Sequence, residues 1–154
     1  LGRSIPLIRD GYAEWLDIVF RQQKWDKCTA FFEFHGPSSQ FGWHDPEEDQ
    51  TVTLIDVHVR KHGILEPREF IKLFRSLGIP DVVYQGPINQ EFIDRVRNCE
   101  DGDLPGMGPE GVMCKTSFDR KLGMPYMFKL KRQSWYDRLK DWCLDDEEKY
   151  WRLK

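Results

Sequence analysis

The sequence has no CxxC pair. Its four cysteines stand at positions 28, 99, 114 and 143, too widely spaced for a CxxC zinc or redox motif. Scattered thiols of this kind accord with a reducing compartment, so a cytoplasmic, intracellular setting is expected. No apolar run approaches the roughly 20 residues that span a bilayer, and no membrane partner is expected. No secretory signal pattern opens the chain. GxSxG and GxxxxGK[ST] are both absent, which removes the usual nucleophile elbow and the phosphate loop. An excess of positive charge is missing too: 23 Lys and Arg face 26 Asp and Glu, for a net charge of −3. A uniformly basic nucleic-acid glove is therefore excluded. The 12 Gly and nine Pro are scattered without period, and no internal repeat is visible.

What is present is aromatic. Six Trp, ten Phe and five Tyr in 154 residues exclude a disordered chain. The length fits one domain, residues 1–154. Charge is uneven: between Lys115 and Lys140 eight Lys and Arg face only Asp119 and Asp137, a local +6. A basic segment in an acidic chain is either a solvated face or a surface that meets phosphate.

Periodicity divides the chain into strands and helices. Tyr12, Trp15, Leu16, Val19 and Phe20 mark one face of a helix over Asp10–Gln23. Cys28–Phe34 reads as a strand ended by His35-Gly36-Pro37, and Ser38–Gln50 as a loop. Thr51–Val59 alternates as a strand with a break at Ile55 and Asp56. Pro67 opens a helix carrying Phe70, Leu73, Phe74 and Leu77, with Gly78 at its C′ position. Asn89–Asn98 forms another helix around Phe92, Ile93 and Val96. Strands are expected near Gly111–Thr116 and Tyr126–Lys131. A C-terminal helical segment, residues 133–154, starts at Ser134 as N-cap, with Trp135, Leu139, and Trp142 or Cys143 anchoring it. The fold class is α+β with an antiparallel sheet.

Three short stretches carry chemistry. In Phe31-Phe-Glu-Phe34, alternation places Phe31, Glu33 and His35 on one face. Glu33 is then either a surface carboxylate on an edge strand or a polar contact at the floor of a cleft. In Glu110-Gly-Val-Met-Cys-Lys115, Gly111 permits a close approach of backbone or ligand. Its charged ends suit a metal ion at Glu110 and a phosphate at Lys115, or simply a strand with charged ends. In Tyr126-Met-Phe-Lys-Leu-Lys131, Lys129 and Lys131 share a face about 7 Å apart along the strand. They form either a solvent-facing pair or a pair that closes on an anion, for which phosphate is the natural counter-charge. His58 and His62 are spaced i, i+4, but at the end of a strand that spacing does not bring them together. His44 and Asp45 lie on a loop with no nucleophile beside them.

Taken in order, FFEFHG, Leu54-Ile55-Asp56-Val57, EGVMCK and KLK resemble motifs III, IIIa, IV and V of the covalent nucleotidyltransferases. That superfamily holds the ATP-dependent RNA and DNA ligases and the mRNA capping enzymes. The resemblance covers roughly residues 25 to 140, with Met113 where the EGxVxK pattern usually has Val. It is nearest in texture to an RNA-ligase-type adenylyltransferase with an ATP-grasp-like antiparallel ligase domain.

The resemblance implies ATP, with Mg²⁺ or Mn²⁺, as cofactors and polynucleotide ends, RNA before DNA, as partners. It gives Glu33 the ribose hydroxyls and Glu110 the divalent metal. Lys115, Lys129 and Lys131 would bind phosphates, the last two at the α-phosphate. Where the family stacks adenine on an aromatic residue, this sequence has Ile55, so apolar contact replaces stacking. Arg3 falls where the motif just after the nucleophile belongs. The motif that supplies the nucleophile itself, KxDG, occurs nowhere in the chain. The expectation is therefore an adenylyltransferase domain truncated at its N-terminus, inactive alone in self-adenylylation and completed by a segment or chain that supplies KxDG. The alternatives are a non-catalytic nucleotide- or nucleic-acid-binding fragment, a DNA ligase or a capping-type enzyme.

Overall fold

Apolar residues at helical and strand spacing collect in two places, and the computed structural model shows a core at each. It describes residues 4–37, 47–100, 103–119, 124–144 and 146–153. These gather into two compact units, Leu1–Pro80 with Thr116–Tyr126, and Asp81–Lys115 with Met127–Lys154. Secondary structure is mixed α and β, with antiparallel pairing in the first unit's sheet. Among the described residues no helix is long and apolar enough to cross a membrane.

The first unit opens with α1 (Ser4–Gly11) and α2 (Ala13–Gln22). The single helix expected over Asp10–Gln23 is thus two, meeting at Tyr12. A three-stranded sheet follows in the order β1 (Cys28–His35), β2 (Thr51–Val59), β3 (Gly63–Ile64). The break expected at Ile55 and Asp56 is a bulge: Phe31 faces Asp56 while Phe32 faces Leu54, leaving Ile55 as the extra residue. The bulge shifts the phase of β2, so that Val52 and Leu54 before it and Val57 and Val59 after it are all buried.

The core of this unit joins Leu16, Leu54, Val57, Val59, Leu65, Phe70 and Phe74, with Tyr12, Val19, Phe20 and Phe32 packed around it. Tyr12 donates its hydroxyl to the Val52 carbonyl at 2.8 Å, and burial pushes its pKa up. Trp15, expected on the same helical face, is 56 % exposed. The buried stripe runs through residues 12, 16, 19 and 20, and Trp15 stands at its margin. Helix α3 (Pro67–Phe74) begins on Pro67 and passes through a 3-10 turn, Arg75–Leu77. It ends at Gly78, whose φ of 68° is the left-handed cap conformation.

The second unit contains α4 (Gln90–Asn98), capped by the Asn89 side chain, which accepts from the Phe92 N–H at 2.9 Å. Strands β4 (Gly111–Asp119) and β5 (Met124–Lys131) pair with each other, and of them Gly111–Lys115 and Met127–Lys131 belong to this unit. Helices α5 (Gln133–Cys143) and α6 (Glu147–Leu153) close the chain. Phe92, Val96, Cys99, Leu104 and Cys114 form the core, with Val112, Phe128 and Leu130 against it. The N-cap of α5 is Arg132 and not Ser134. Its N–H already bonds the Glu110 carbonyl at 3.1 Å, so the strand runs straight into the helix.

Candidate anion-binding site

The site grows from strand parity. Val112 and Cys114 on β4 and Phe128 and Leu130 on β5 belong to the core of the second unit. The alternate residues Met113, Lys115, Lys129 and Lys131 therefore take the opposite face. Gly111 begins β4 with φ at 134°. A Cβ there would lie 2.1 Å from the Leu130 carbonyl oxygen and 2.9 Å from the Lys131 Cα. The close approach expected at Gly111 is thus made by the backbone of β5. It brings the residue before Gly111 against the end of the lysine strand.

That residue is Glu110. Its Oε1 lies 3.0 Å from the Lys131 Nζ and 3.3 Å from the Lys129 Nζ. Two ammonium groups on one strand face repel, and a single carboxylate oxygen between them offsets that repulsion. Burial works against the Glu110 charge, but the Lys131 hydrogen bond and the attraction of Lys129 outweigh it. The Glu110 pKa is held below its ordinary value. The Lys131 side chain is only 15 % exposed, while those of Lys129 and Glu110 are 51 % and 45 % exposed. Lys131 also stands 3.2 Å from the centroid of the Trp135 ring, in the first turn of α5. The three side chains carry a net charge of +1, and Lys115 is half-buried on β4.

Glu110, Lys129 and Lys131 are thus brought together. Glu33 and Ile55 belong to the first unit. Glu33 is exposed on β1, opposite Thr53, and Ile55 is the half-buried bulge residue of β2. Asp56 beside it is buried, facing Phe31. Arg3 lies outside the described residues, as do His44 and Asp45.

A divalent metal at Glu110 was also expected. Among the described residues no three His, Cys, Asp or Glu side chains come together as a metal-holding group, and Oε1 of Glu110 is taken by the ammonium groups of Lys129 and Lys131. These residues do not fit a resident, protein-built metal centre. An ion held largely by phosphate oxygens and water needs no such cage.

Two features of the second unit escaped the sequence reading. Trp135 reads as a core anchor by helical spacing, yet its ring carries the Lys131 ammonium. Arg132 is buried, and its Nη2 donates to the Cys99 carbonyl at 2.9 Å. Its core-facing parity with Phe128 and Leu130 was the available signal. A cavity of about 570 Å³ is lined by Arg97, Asn98, Cys99, Arg132, Gln133 and Ser134, among others. Glu110, Lys129 and Lys131 do not line it. Compared with known protein families and with curated proteins, the sequence matches none.

Proposed function

We propose that this chain is the nucleotide-handling part of an ATP-dependent RNA ligase-type nucleotidyltransferase, acting inside the cell on polynucleotide ends. The observation that carries this reading is the convergence of Lys129, Lys131 and Glu110 at one carboxylate oxygen. In the motif order those are the residues for the α-phosphate and its charge. Transfer of AMP to a lysine, then to a 5′-phosphate, and sealing by a 3′-hydroxyl all build negative charge on phosphate oxygens. Fixed cations beside those oxygens are what such a reaction requires of a protein. The ribose role of Glu33 and the base contact of Ile55 rest on motif order alone. Any Mg²⁺ or Mn²⁺ enters with the phosphates of ATP.

The 154 residues hold no KxDG, so the covalent step needs a lysine they do not supply. That same absence favours a second reading, nucleotide binding without covalent chemistry. One experiment separates the two. Incubated with α-labelled ATP and Mg²⁺, the 154-residue chain should retain no label after denaturation. Joined to an upstream segment that supplies KxDG, it should form a lysyl-AMP adduct. The adduct should be lost in Lys129→Ala and Lys131→Ala and unaffected by Lys61→Ala. No adduct in the joined protein, with ATP still bound, favours the second reading. An adduct on the isolated chain would place the nucleophile elsewhere, with Lys24 in Lys24-Trp-Asp26 the first to test.

A further inference from the structure

The oxygen that lies between the two lysines belongs to the chain itself. One Glu110 oxygen takes both ammonium groups, which is the position an oxygen of a bound phosphate would occupy. We propose that Glu110 is a tethered stand-in for that phosphate: polyphosphate binds by displacing its carboxylate from between Lys129 and Lys131, while Trp135 keeps Lys131 in place. This inference rests on the reading of the lysine pair as phosphate-binding.

Three features support displacement. The contacts, at 3.0 and 3.3 Å, are longer than the roughly 2.7–2.9 Å of the best ammonium–oxyanion bonds. Both Glu110 and Lys129 are about half exposed, and ion pairs open to water are weak. A carboxylate also brings one negative charge where a triphosphate brings several. Trp135 completes the arrangement. Its ring holds the Lys131 ammonium at 3.2 Å from the centroid by an attraction that does not involve Glu110. When the carboxylate leaves, Lys131 is still placed, and only the more exposed Lys129 has to be ordered by the ligand.

A tethered competitor lowers apparent affinity by the fraction of time it fills the site. Calorimetric titration of inorganic tripolyphosphate into the EDTA-treated 154-residue chain reads this directly. Glu110→Gln should tighten binding about three- to tenfold, and adding Lys131→Ala to that variant should erase the gain. Trp135→Leu should weaken binding about two- to fivefold, while Trp135→Phe, which keeps a ring face, should restore most of it. The Lys131 ε-methylene protons report placement independently of ligand. They should be shifted upfield by the ring in the wild type and in Trp135→Phe, and not in Trp135→Leu.

Unchanged or weaker binding in Glu110→Gln would overturn the stand-in, as would an unshifted Lys131 the role of Trp135. If Lys129→Ala and Lys131→Ala weaken binding while Glu110→Gln fails to tighten it, this inference falls and the phosphate reading stands. If neither lysine variant weakens binding, both fall.

Discussion

Position 111 admits no Cβ. An added methyl would meet the Leu130 carbonyl oxygen at 2.1 Å, and the φ of 134° is one that L side chains rarely adopt. Strain of this kind and a backbone clash together place Gly111→Ala at a loss of about 2 kcal/mol or more, read as a lower urea midpoint. An unchanged midpoint would mean that β4 and β5 do not approach as described. The neighbouring carboxylate gives a second expectation. Glu110 is held below its ordinary pKa, so its ion pairs favour the folded state fully above the unfolded-state value near pH 4.3. That contribution is lost as pH falls through the depressed folded value. The difference in melting temperature between wild type and Glu110→Gln should therefore be constant near neutrality and change on acidification below about pH 5. A difference that does not vary with pH would remove the ion pairs from the account of stability.

The elements were legible where a stripe or a parity was clean. Alternation in Tyr126–Lys131 put Lys129 and Lys131 on one face, and the interrupted alternation at Ile55 marked the bulge of β2. Pro67 and Gly78 bounded α3 and its 3-10 extension. Large aromatics beside a stripe were not legible. On α5 the buried line is Leu139 and Cys143, each 3 % exposed, while Trp142 is 49 % exposed with Lys149 over its ring at 3.8 Å. Spacing of i+3 from Leu139 left Trp142 at the edge of the line, where long side chains reach either core or solvent. Leu139→Ala should accordingly cost about 2–5 kcal/mol in chemical denaturation. Trp142→Ala should stay within about 1 kcal/mol, the worth of an exposed cation–π contact. The reverse order would assign α5 a different buried face.

For the whole molecule, the α+β character followed from antiparallel-looking strands grouped together with helices between the groups. The division into two compact units had no such signal, because the chain passes from one to the other at 80/81, 115/116 and 126/127 and each unit is assembled from separate segments. The candidate site was partly legible for a physical reason. Charge on a strand face must be either solvated or paired, so parity marked Lys129 and Lys131 as a solvent-facing pair or as a pair that closes on an anion, and left that choice open. That the anion is Glu110, and that Trp135 supports Lys131, depends on the turn at Gly111 and on β5 running directly into α5. Neither junction has a periodic signature. Binding through these lysines should weaken as salt is added, since an attraction resting on exposed charge is screened.

Whether Lys129 and Lys131 hold the phosphates of ATP is most directly measured at their own side-chain nitrogens, by NMR of the ¹⁵N-labelled chain titrated with ATP at low salt. The expected result is large, saturable shifts at the Nζ of Lys129 and Lys131, with Lys27 and Lys61 nearly unmoved. Equal, small, non-saturating shifts at all four lysines would contradict a phosphate site at this hairpin.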